Sequence, residues 1–257
     1  MNRRKFMKSS AIGGLAVSGA AGLPQVLAAD GRDYFEIRNY EFETQEQASA
    51  FESFLEKTGV PALNRAGINP VGVFVPEEGF SPVTILLRHK SVEALVSLTE
   101  KLVSDKQLAS TDVFDAPAAS PAYKRLESSL FVAFAGMPEL EVPIKGEGRV
   151  FQLRIYESPS VKTGQKKIEM FNRGEIEIFR KTGLHPVFFG EALVGSKMPN
   201  LTYMLSFRSR EEQKVNWKQF VSSPEWKELS AIPEYADKKI LSDITNLLLK
   251  PSPSSQI

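Results

Sequence analysis

The chain contains an internal duplication, which constrains its fold more than any other feature. Residues 35–41 read Phe-Glu-Ile-Arg-Asn-Tyr-Glu, and residues 151–157 read Phe-Gln-Leu-Arg-Ile-Tyr-Glu, 116 positions later (151 − 35). Residues 67–71 and 183–187, which share a Gly-x-x-Pro-Val pattern, repeat at the same offset (183 − 67 = 116). Two motifs that recur at one offset indicate a duplicated structural unit. We therefore expect two similar units in these 257 residues.

Both copies show the same order of strand and helix patterns. Residues 33–135 begin with an alternating strand, continue with a helical pattern, and end with two strands, a helix capped by Ser91 and a fourth strand. Residues 149–251 repeat this order, with Ser209 and Ser223 predicted to cap two helices before the last strand. Residues 136–148 contain scattered Pro and Gly and are interpreted as a linker, and the Pro/Ser-rich residues 252–257 as a disordered tail.

The order β-α-β-β-α-β is that of a ferredoxin-like unit, whose helices cover one face of a four-stranded sheet. The other face of each sheet then needs a partner. Two copies in one chain satisfy this need by packing sheet on sheet. The sequence therefore predicts an α+β protein in which two tandem ferredoxin-like units form, within one chain, the α+β barrel otherwise made by dimers.

Residues 1–29 have the features of an export signal. Arg3, Arg4 and Lys5 precede the apolar run 11–23, and small residues near Ala28 offer a cleavage site. Residues 2–8 also resemble the twin-arginine signal, which exports bacterial proteins in the folded state. We expect a periplasmic or otherwise extracytoplasmic location, with no stable membrane span once the signal is removed.

Composition and charge exclude several functional classes. The net charge of +1 includes four positive charges in the signal, so the remainder carries about −3 and offers no basic surface for nucleic acid. Cysteine is absent, and the two histidines lie far apart in sequence, so no metal site is predicted. No cofactor is predicted either, although haem stays open. Phosphate-binding glycine loops and nucleophile-elbow motifs are absent.

The second copy resembles the NIPSNAP family. The resemblance is carried by Leu153-Arg154-x-Tyr156, Gly183, Trp217-x-x-Phe220-x-x-Ser223-Pro224-Glu225-Trp226 and Leu248-Leu249-Lys250-Pro251-Ser252-Pro253. The first copy lacks both tryptophans and the Pro-Ser-Pro ending. The resemblance implies a dimeric α+β barrel fold and no settled reaction. Related barrel families include cofactor-independent monooxygenases and haem-degrading enzymes, so the resemblance leaves an enzyme open.

Candidate ligand-binding residues come from the repeated first strand. If Phe151, Leu153 and Ile155 face the helices, then Arg154 and Tyr156 point into the barrel. The corresponding Arg38 and Tyr40 then lie opposite them. An Arg and a Tyr from each half predict a site for a carboxylate, an enolate or a phenol. The alternative is a polar network between the sheets, with each Arg paired to an acid.

Candidate catalytic residues come from positions where the copies differ. Glu175 falls on the apolar side of its helix, where the first copy has Gly59, and a buried carboxylate of this kind can act as a base. The alternative turns Glu175 to solvent or onto Arg154. His185 replaces Asn69 and is either structural or placed near a barrel mouth. His89 is interpreted as a surface residue, and Lys166 with Lys167 as a solvated helix start.

These observations favour a binding protein over an enzyme. The leading hypothesis is an exported protein that binds a small apolar or aromatic ligand, or a partner protein, in or around the barrel. The alternative is a cofactor-free or haem-linked oxygenase whose site lies in the second copy. A third hypothesis is an oligomeric interaction protein, which would show an exposed apolar patch and no cavity. Formation of a homo-oligomer is left open.

Overall fold

The computed structural model describes residues 31–257, and the export signal predicted for residues 1–29 lies outside them. The first unit contributes four strands and the second unit contributes four more. In chain order the strands are β1 (Tyr34–Glu41), β2 (Gly72–Pro76), β3 (Val83–His89), β4 (Arg125–Ala133), β5 (Val150–Glu157), β6 (His185–Val194), β7 (Asn200–Phe207) and β8 (Asp243–Pro251).

The helices lie between the strands, in segments whose apolar residues recur about every 3.6 positions. Their bounds are α1 (Gln45–Phe54), α2 (Val60–Arg65), α3 (Val92–Val103), α4 (Lys106–Ala109), α5 (Val161–Met170), α6 (Ile176–Lys181), α7 (Arg210–Ser222), α8 (Pro224–Ser230) and α9 (Asp237–Ile240). Ser91, Ser209 and Ser223 cap α3, α7 and α8 through their hydroxyl oxygens, as predicted.

The eight strands close into one antiparallel barrel in the order β1-β3-β2-β8-β5-β7-β6-β4. Each unit keeps the ferredoxin-like order within this ring, β4-β1-β3-β2 in the first and β8-β5-β7-β6 in the second. Two short ladders join the units: β2 to β8 through three residue pairs, and β4 to β6 through four. The predicted barrel within one chain is therefore confirmed.

The interior of the barrel is apolar, which corrects the predicted direction of the first strands. One buried cluster draws side chains from all eight strands and must therefore fill the barrel, and Phe151 and Leu153 belong to it. Gln152, Arg154 and Tyr156 therefore lie on the outer face, beneath the helices, as do Glu36, Arg38 and Tyr40. The prediction failed because both faces of these strands are covered, one by the barrel interior and one by helices. The apolar residues at alternate positions therefore did not identify the helix-facing side.

Each unit has a second core between its sheet and its helices. In the first unit this core contains Phe51, Leu55 and Ile85, and in the second it contains Phe171, Phe179 and Tyr203. The structure thus has three apolar layers: one inside the barrel and one under each set of helices. The candidate site residues lie in the two layers between sheet and helices.

Each unit contains a π-helical turn at the same place. Leu55–Gly59 joins α1 to α2, and Phe171–Glu175 joins α5 to α6, again 116 residues apart (171 − 55). In each unit the helix therefore continues through a wider turn instead of ending there. Such turns recur at functional sites.

The C-terminal residues are ordered against the barrel, which corrects the prediction of a disordered tail at 252–257. The backbone N–H groups of Ser252 and Gln256 donate to the carbonyl oxygens of Val73 and Val71, and the side chain of Ile257 is 1% exposed within the barrel cluster. Burial of one large apolar side chain offsets the Pro/Ser composition.

Within residues 31–257, no helix combines the length and apolar character that a membrane span requires.

Candidate functional site

A cavity of about 330 Å³ lies between the sheet and the helices of the first unit. Its floor is the outer face of β1 and β3, and its walls are α1, the π turn and α3. Residues 105–123 include α4 and form the outer wall. The lining is largely apolar and includes five aromatic rings, from Tyr40, Phe51, Phe54, Phe114 and Tyr123.

The cavity exists because side chains in the first unit are smaller than their counterparts in the second. Leu55 lines it where the second unit has Phe171, and Gly59 lines it where the second unit has Glu175. On the sheet, Ile85 is the cross-strand neighbour of Arg38. In the second unit the equivalent neighbour of Arg154 is Tyr203. Three positions thus remove a ring, a carboxylate and a phenol from the same space.

The polar end of the cavity is formed by Arg38, whose charge is paired with that of Glu36. Arg38 donates through Nε and Nη2 to the two oxygens of Glu36 at 2.6 and 3.1 Å. Glu36 also contacts His89 Nε2 at 3.1 Å and accepts from Ser128 Oγ at 2.8 Å. Burial acts to raise the pKa of Glu36, but the hydrogen bonds from His89, Arg38 and Ser128 outweigh it and lower this pKa to about 2. The carboxylate is therefore ionised near neutral pH.

His89 is buried, not exposed as the sequence suggested. Its side chain lies on the outer face of β3 beside Glu36, and the residue is 1% exposed. Nδ1 of the ring is buried without a hydrogen-bond partner among the described residues. The position of His89 at a strand end, next to a lysine, pointed to the surface. The carboxylate that holds the ring comes from the neighbouring strand and has no signature in the local sequence.

The equivalent space in the second unit is filled. Phe171, Phe179 and Tyr203 are fully buried there, and their rings pack with centroids between 5.4 and 5.9 Å apart. The hydroxyl groups of Tyr156 and Tyr203 form a hydrogen bond of 2.9 Å. Burial raises the pKa of Tyr203 well above its ordinary value, so this phenol stays protonated.

Glu175 is buried and forms an ion pair with Lys167, an arrangement the sequence analysis missed. Lys167 Nζ lies 3.1 Å from Glu175 Oε2, and the residues are 1% and 2% exposed. The ammonium group also lies 5.1 to 5.7 Å from the ring centroids of Phe171, Tyr156 and Trp226. Lys167 was predicted to be solvated. Its position one turn before Phe171, on the buried side of α5, was the available signal.

The pKa values of Glu175 and Lys167 reflect two opposed effects, burial and the charge of the other member of the pair. Burial raises the pKa of Glu175, and the nearby Lys167 and Arg154 act against this increase. Burial also acts to lower the pKa of Lys167, but the charge of Glu175 outweighs it, so the ammonium group stays protonated at neutral pH. A protonated lysine is not a nucleophile, and the pair therefore has a structural character.

Arg154 has no counterion of its own. The residue that corresponds to Glu36 is Gln152 (152 − 116), and its amide is occupied by Asn246, Gln213 and Trp217 at 2.7, 3.2 and 2.6 Å. No carboxylate in residues 31–257 lies within 4.0 Å of the guanidinium group. Its carbon Cζ instead lies 4.7 Å from the Trp217 ring centroid and 5.3 Å from that of Tyr156.

The predicted site residues therefore divide into separate groups. Arg38 and Tyr40 line the first-unit cavity. Arg154, Tyr156 and Glu175 lie close together under the helices of the second unit and do not line that cavity. His185, partly buried at the start of β6, has its pKa lowered by burial, and the charges that act on it are those of Glu212 and Arg208. It takes no part in the Glu175 cluster.

The described residues offer little for a metal or a haem. In residues 31–257, no three His, Asp or Glu side chains are grouped so that they could hold a metal ion. The lining of the first-unit cavity provides tyrosine but no histidine or methionine as a ligand for haem iron. The lining fits an apolar organic molecule better than a haem.

Comparison with known proteins identifies the second unit. Residues 151–256 match the family model described as NIPSNAP. This match covers most of the second unit, where the resemblance of the sequence lies, while the first unit lies outside it. Curated proteins yield no match to this sequence.

Two similar solved structures share the α+β barrel of this chain. A candidate monooxygenase from Fusobacterium nucleatum matches with a TM-score of 0.60 and 10% identity, covering 86% of this chain and 93% of that chain. A candidate monooxygenase from Lactobacillus acidophilus matches with a TM-score of 0.61 and 9% identity, covering 86% and 94%. An uncharacterised NIPSNAP-like domain protein from Burkholderia xenovorans has a TM-score of 0.38 and 17% identity, covering 42% and 89%. At these identities the first two matches establish the fold alone.

Proposed function

We propose that the protein binds a small apolar or aromatic molecule in the first-unit cavity. The observation that carries this proposal is the difference between the two units, since the same space is open in one and filled in the other. A volume of about 330 Å³ lies at the lower end of the range for small-molecule sites. The five aromatic rings of the lining offer stacking and edge contacts to a planar ligand.

The ligand is expected to carry an uncharged polar group. Glu36 is ionised and takes two hydrogen bonds from Arg38, so the polar end of the cavity has little net charge. A ligand carboxylate would compete with Glu36 for the same guanidinium group. A carbonyl or hydroxyl group can contact Arg38 or Tyr40 without displacing this pair. A neutral phenol or ketone therefore suits the cavity better than an acid.

The cavity can be filled with residues that the chain already uses in its second unit. Leu55→Phe and Ile85→Tyr copy Phe171 and Tyr203 into the first unit. We expect either variant to weaken binding of the neutral fluorescent probe N-phenyl-1-naphthylamine by roughly tenfold or more, measured by fluorescence titration. Leu193→Phe, an equal increase in volume at an exposed position of β6, is the matched control. Unchanged binding by both cavity variants, with retained circular dichroism, would reject the proposal.

Native mass spectrometry of protein purified from its own host distinguishes a ligand from a protein partner. A retained molecule of small mass, lost in Leu55→Phe, supports the cavity proposal. A stoichiometric second polypeptide or a homo-oligomer, with the cavity variants unaffected, would support the interaction hypotheses instead.

The oxygenase alternative has weaker support. It requires Arg154, Tyr156, Glu175 and His185 around a substrate-sized space, but His185 is placed apart and rings fill the space beside Glu175. The similarity to candidate monooxygenases concerns the fold. Oxygen consumption with a phenolic or quinone-type substrate, abolished by Glu175→Gln in protein that circular dichroism shows to be folded, would revive this alternative.

Export by the twin-arginine pathway is a further part of the proposal, supported by the paired arginines in residues 1–29. Replacement of Arg3 and Arg4 by lysine is expected to leave the protein in the cytoplasm, as cell fractionation would show. Periplasmic accumulation of this variant would argue against the pathway.

A further inference from the structure

The equivalent arginines of the two units, Arg38 and Arg154, have different surroundings. In the first unit the guanidinium group of Arg38 lies on the carboxylate of Glu36 at 2.6 and 3.1 Å. In the second unit the acid is replaced by Gln152, a neutral residue whose side chain is bound to Asn246, Gln213 and Trp217. The substitution removes one negative charge and leaves the positive charge of Arg154 in place.

Nearby charges do not replace the missing one. Lys167 Nζ lies 3.1 Å from Glu175 and 3.7 Å from the more exposed Asp237, and neither carboxylate forms an ion pair with Arg154. Both carboxylates of this cluster are therefore paired with Lys167, and Arg154 has no carboxylate in contact with it. A partly buried charge without a partner is unfavourable unless a ligand or solvent supplies the opposite charge.

The guanidinium group is held in a fixed orientation and remains reachable. The rings of Trp217 and Tyr156 hold it at 4.7 and 5.3 Å, and of its three nitrogens Nε alone is both buried and without a partner. Arg154 is only partly buried, unlike the adjacent Tyr156. A planar group of N–H donors fixed against an indole is a suitable receptor for a carboxylate, which it can bind through two parallel hydrogen bonds.

We propose that Arg154 binds the carboxylate of a small aromatic acid at the surface of the second unit, beside Trp217. The acid supplies the counterion that Glu36 supplies in the first unit. The indole ring favours a flat apolar body on the acid, because a ring can extend the stack on Trp217. This site is separate from the first-unit cavity, and its ligand has the opposite requirement: a negative charge in place of a neutral polar group.

The two tryptophans of the chain, Trp217 and Trp226, both lie in the second unit, so tryptophan emission reports on this unit and not on the first-unit cavity. The experiment titrates the whole mature protein with benzoate at constant ionic strength and follows the tryptophan emission. We expect saturable quenching for the wild type, at least tenfold weaker binding for Arg154→Gln, and binding in Leu55→Phe equal to that of the wild type. The last result separates this proposal from that of the cavity.

An exchange of the two counterion residues provides the sharper test. Gln152→Glu copies Glu36 into the second unit, and its carboxylate can still accept the hydrogen bonds from Trp217 and Gln213. We expect this variant to keep its fold and to lose benzoate binding by at least tenfold, because Arg154 then has an internal partner. Glu177→Gln, a change of one charge on the exposed side of α6, should bind as the wild type does.

Two results would overturn the proposal. One is benzoate binding by folded Gln152→Glu that is as tight as that of the wild type. The other is an equal response to chloride at the same concentration, which would show general screening in place of a site. Tighter binding of inorganic phosphate than of benzoate would overturn the assignment to a carboxylate.

Discussion

Gly59 and Glu175 end two π-helical turns at equivalent positions in the two units, and their side chains decide what each unit contains. Gly59 leaves room beside Leu55, and a cavity opens there. Glu175 brings a carboxylate into the same space and holds Lys167 at 3.1 Å. One duplicated framework thus carries an open apolar cavity on one side and a closed polar cluster on the other.

Breaking the buried ion pair should be costly. Glu175→Gln leaves the buried ammonium group of Lys167 with only the exposed and more distant carboxylate of Asp237, at 3.7 Å, so we expect a loss of about 3 kcal/mol in the free energy of unfolding. The double variant Lys167→Met/Glu175→Leu removes both charges and should cost less than either single change. Urea unfolding measures these values.

The matched control for this prediction is Glu177→Gln. Glu177 pairs with Lys181 on the same helix with its side chain 72% exposed, so its loss should change stability by no more than about 0.5 kcal/mol. Equal losses for Glu175→Gln and Glu177→Gln would contradict a structural role of the buried pair.

Acid should weaken the first unit through Glu36. Its pKa in the folded protein, about 2, lies below the ordinary value of 4.5, so the ionised form is favoured by folding. The resulting stabilisation, about 3 kcal/mol, is complete above pH 4.5 and disappears as the pH falls from 4.5 to about 2.

Glu36→Gln should remove this part of the pH dependence. Urea unfolding between pH 7 and 2 would show the stability of the wild type approaching that of the variant as the pH falls. Glu127→Gln, at an exposed position of β4, should follow the wild type throughout. A constant gap between wild type and Glu36→Gln over this range would show that Glu36 titrates normally.

The ladder between β4 and β6 tolerates no added methyl group at Gly190. A Cβ atom there would lie 2.7 Å from Cβ of Phe131. The two strands are paired through only four residue pairs. We expect Gly190→Ala to destabilise the protein by about 1–3 kcal/mol, because the strands must move apart. Thermal unfolding followed by circular dichroism measures the effect, and an unchanged midpoint would contradict it.

Gly174→Ala provides the opposite case. A Cβ atom at Gly174 would meet Cδ2 of Leu229 at 3.6 Å, an ordinary contact, and the residue lies within a helical segment. Alanine restricts the unfolded chain and favours the helix, so stability should increase by about 0.5–1 kcal/mol. A loss of stability would mean that the π turn requires glycine for another reason.

Much of the fold follows from patterns within the sequence. The offset of 116 residues predicts two units, and the alternation in Tyr34–Glu41 and Val150–Glu157 predicts the strands that begin them. The caps at Ser91, Ser209 and Ser223 were predicted because their hydrogen bonds span only three residues. Such features depend on neighbours along the chain.

The candidate site was harder to predict because its contacts cross between elements. The helical pattern put Glu175 on the apolar side of its helix but left solvent or Arg154 open as its surroundings, and its partner Lys167 looked like a solvated residue. Arg38 and Tyr40 were selected for a barrel interior that turned out to be apolar. The first-unit cavity was not anticipated, since its volume depends on the sizes of Leu55, Gly59 and Ile85 together, and these lie on different elements.

The sequence by itself determined the duplicated β-α-β-β-α-β order and the α+β barrel that it builds, because periodicity and repetition are written in consecutive residues. The tertiary structure alone decided which face of each strand is enclosed and which unit keeps an open space. It also decided which arginine lacks a partner. These outcomes depend on side-chain volumes and charges that meet across strands and helices, where a difference of one residue, Glu36 against Gln152, leaves a charge paired or unpaired.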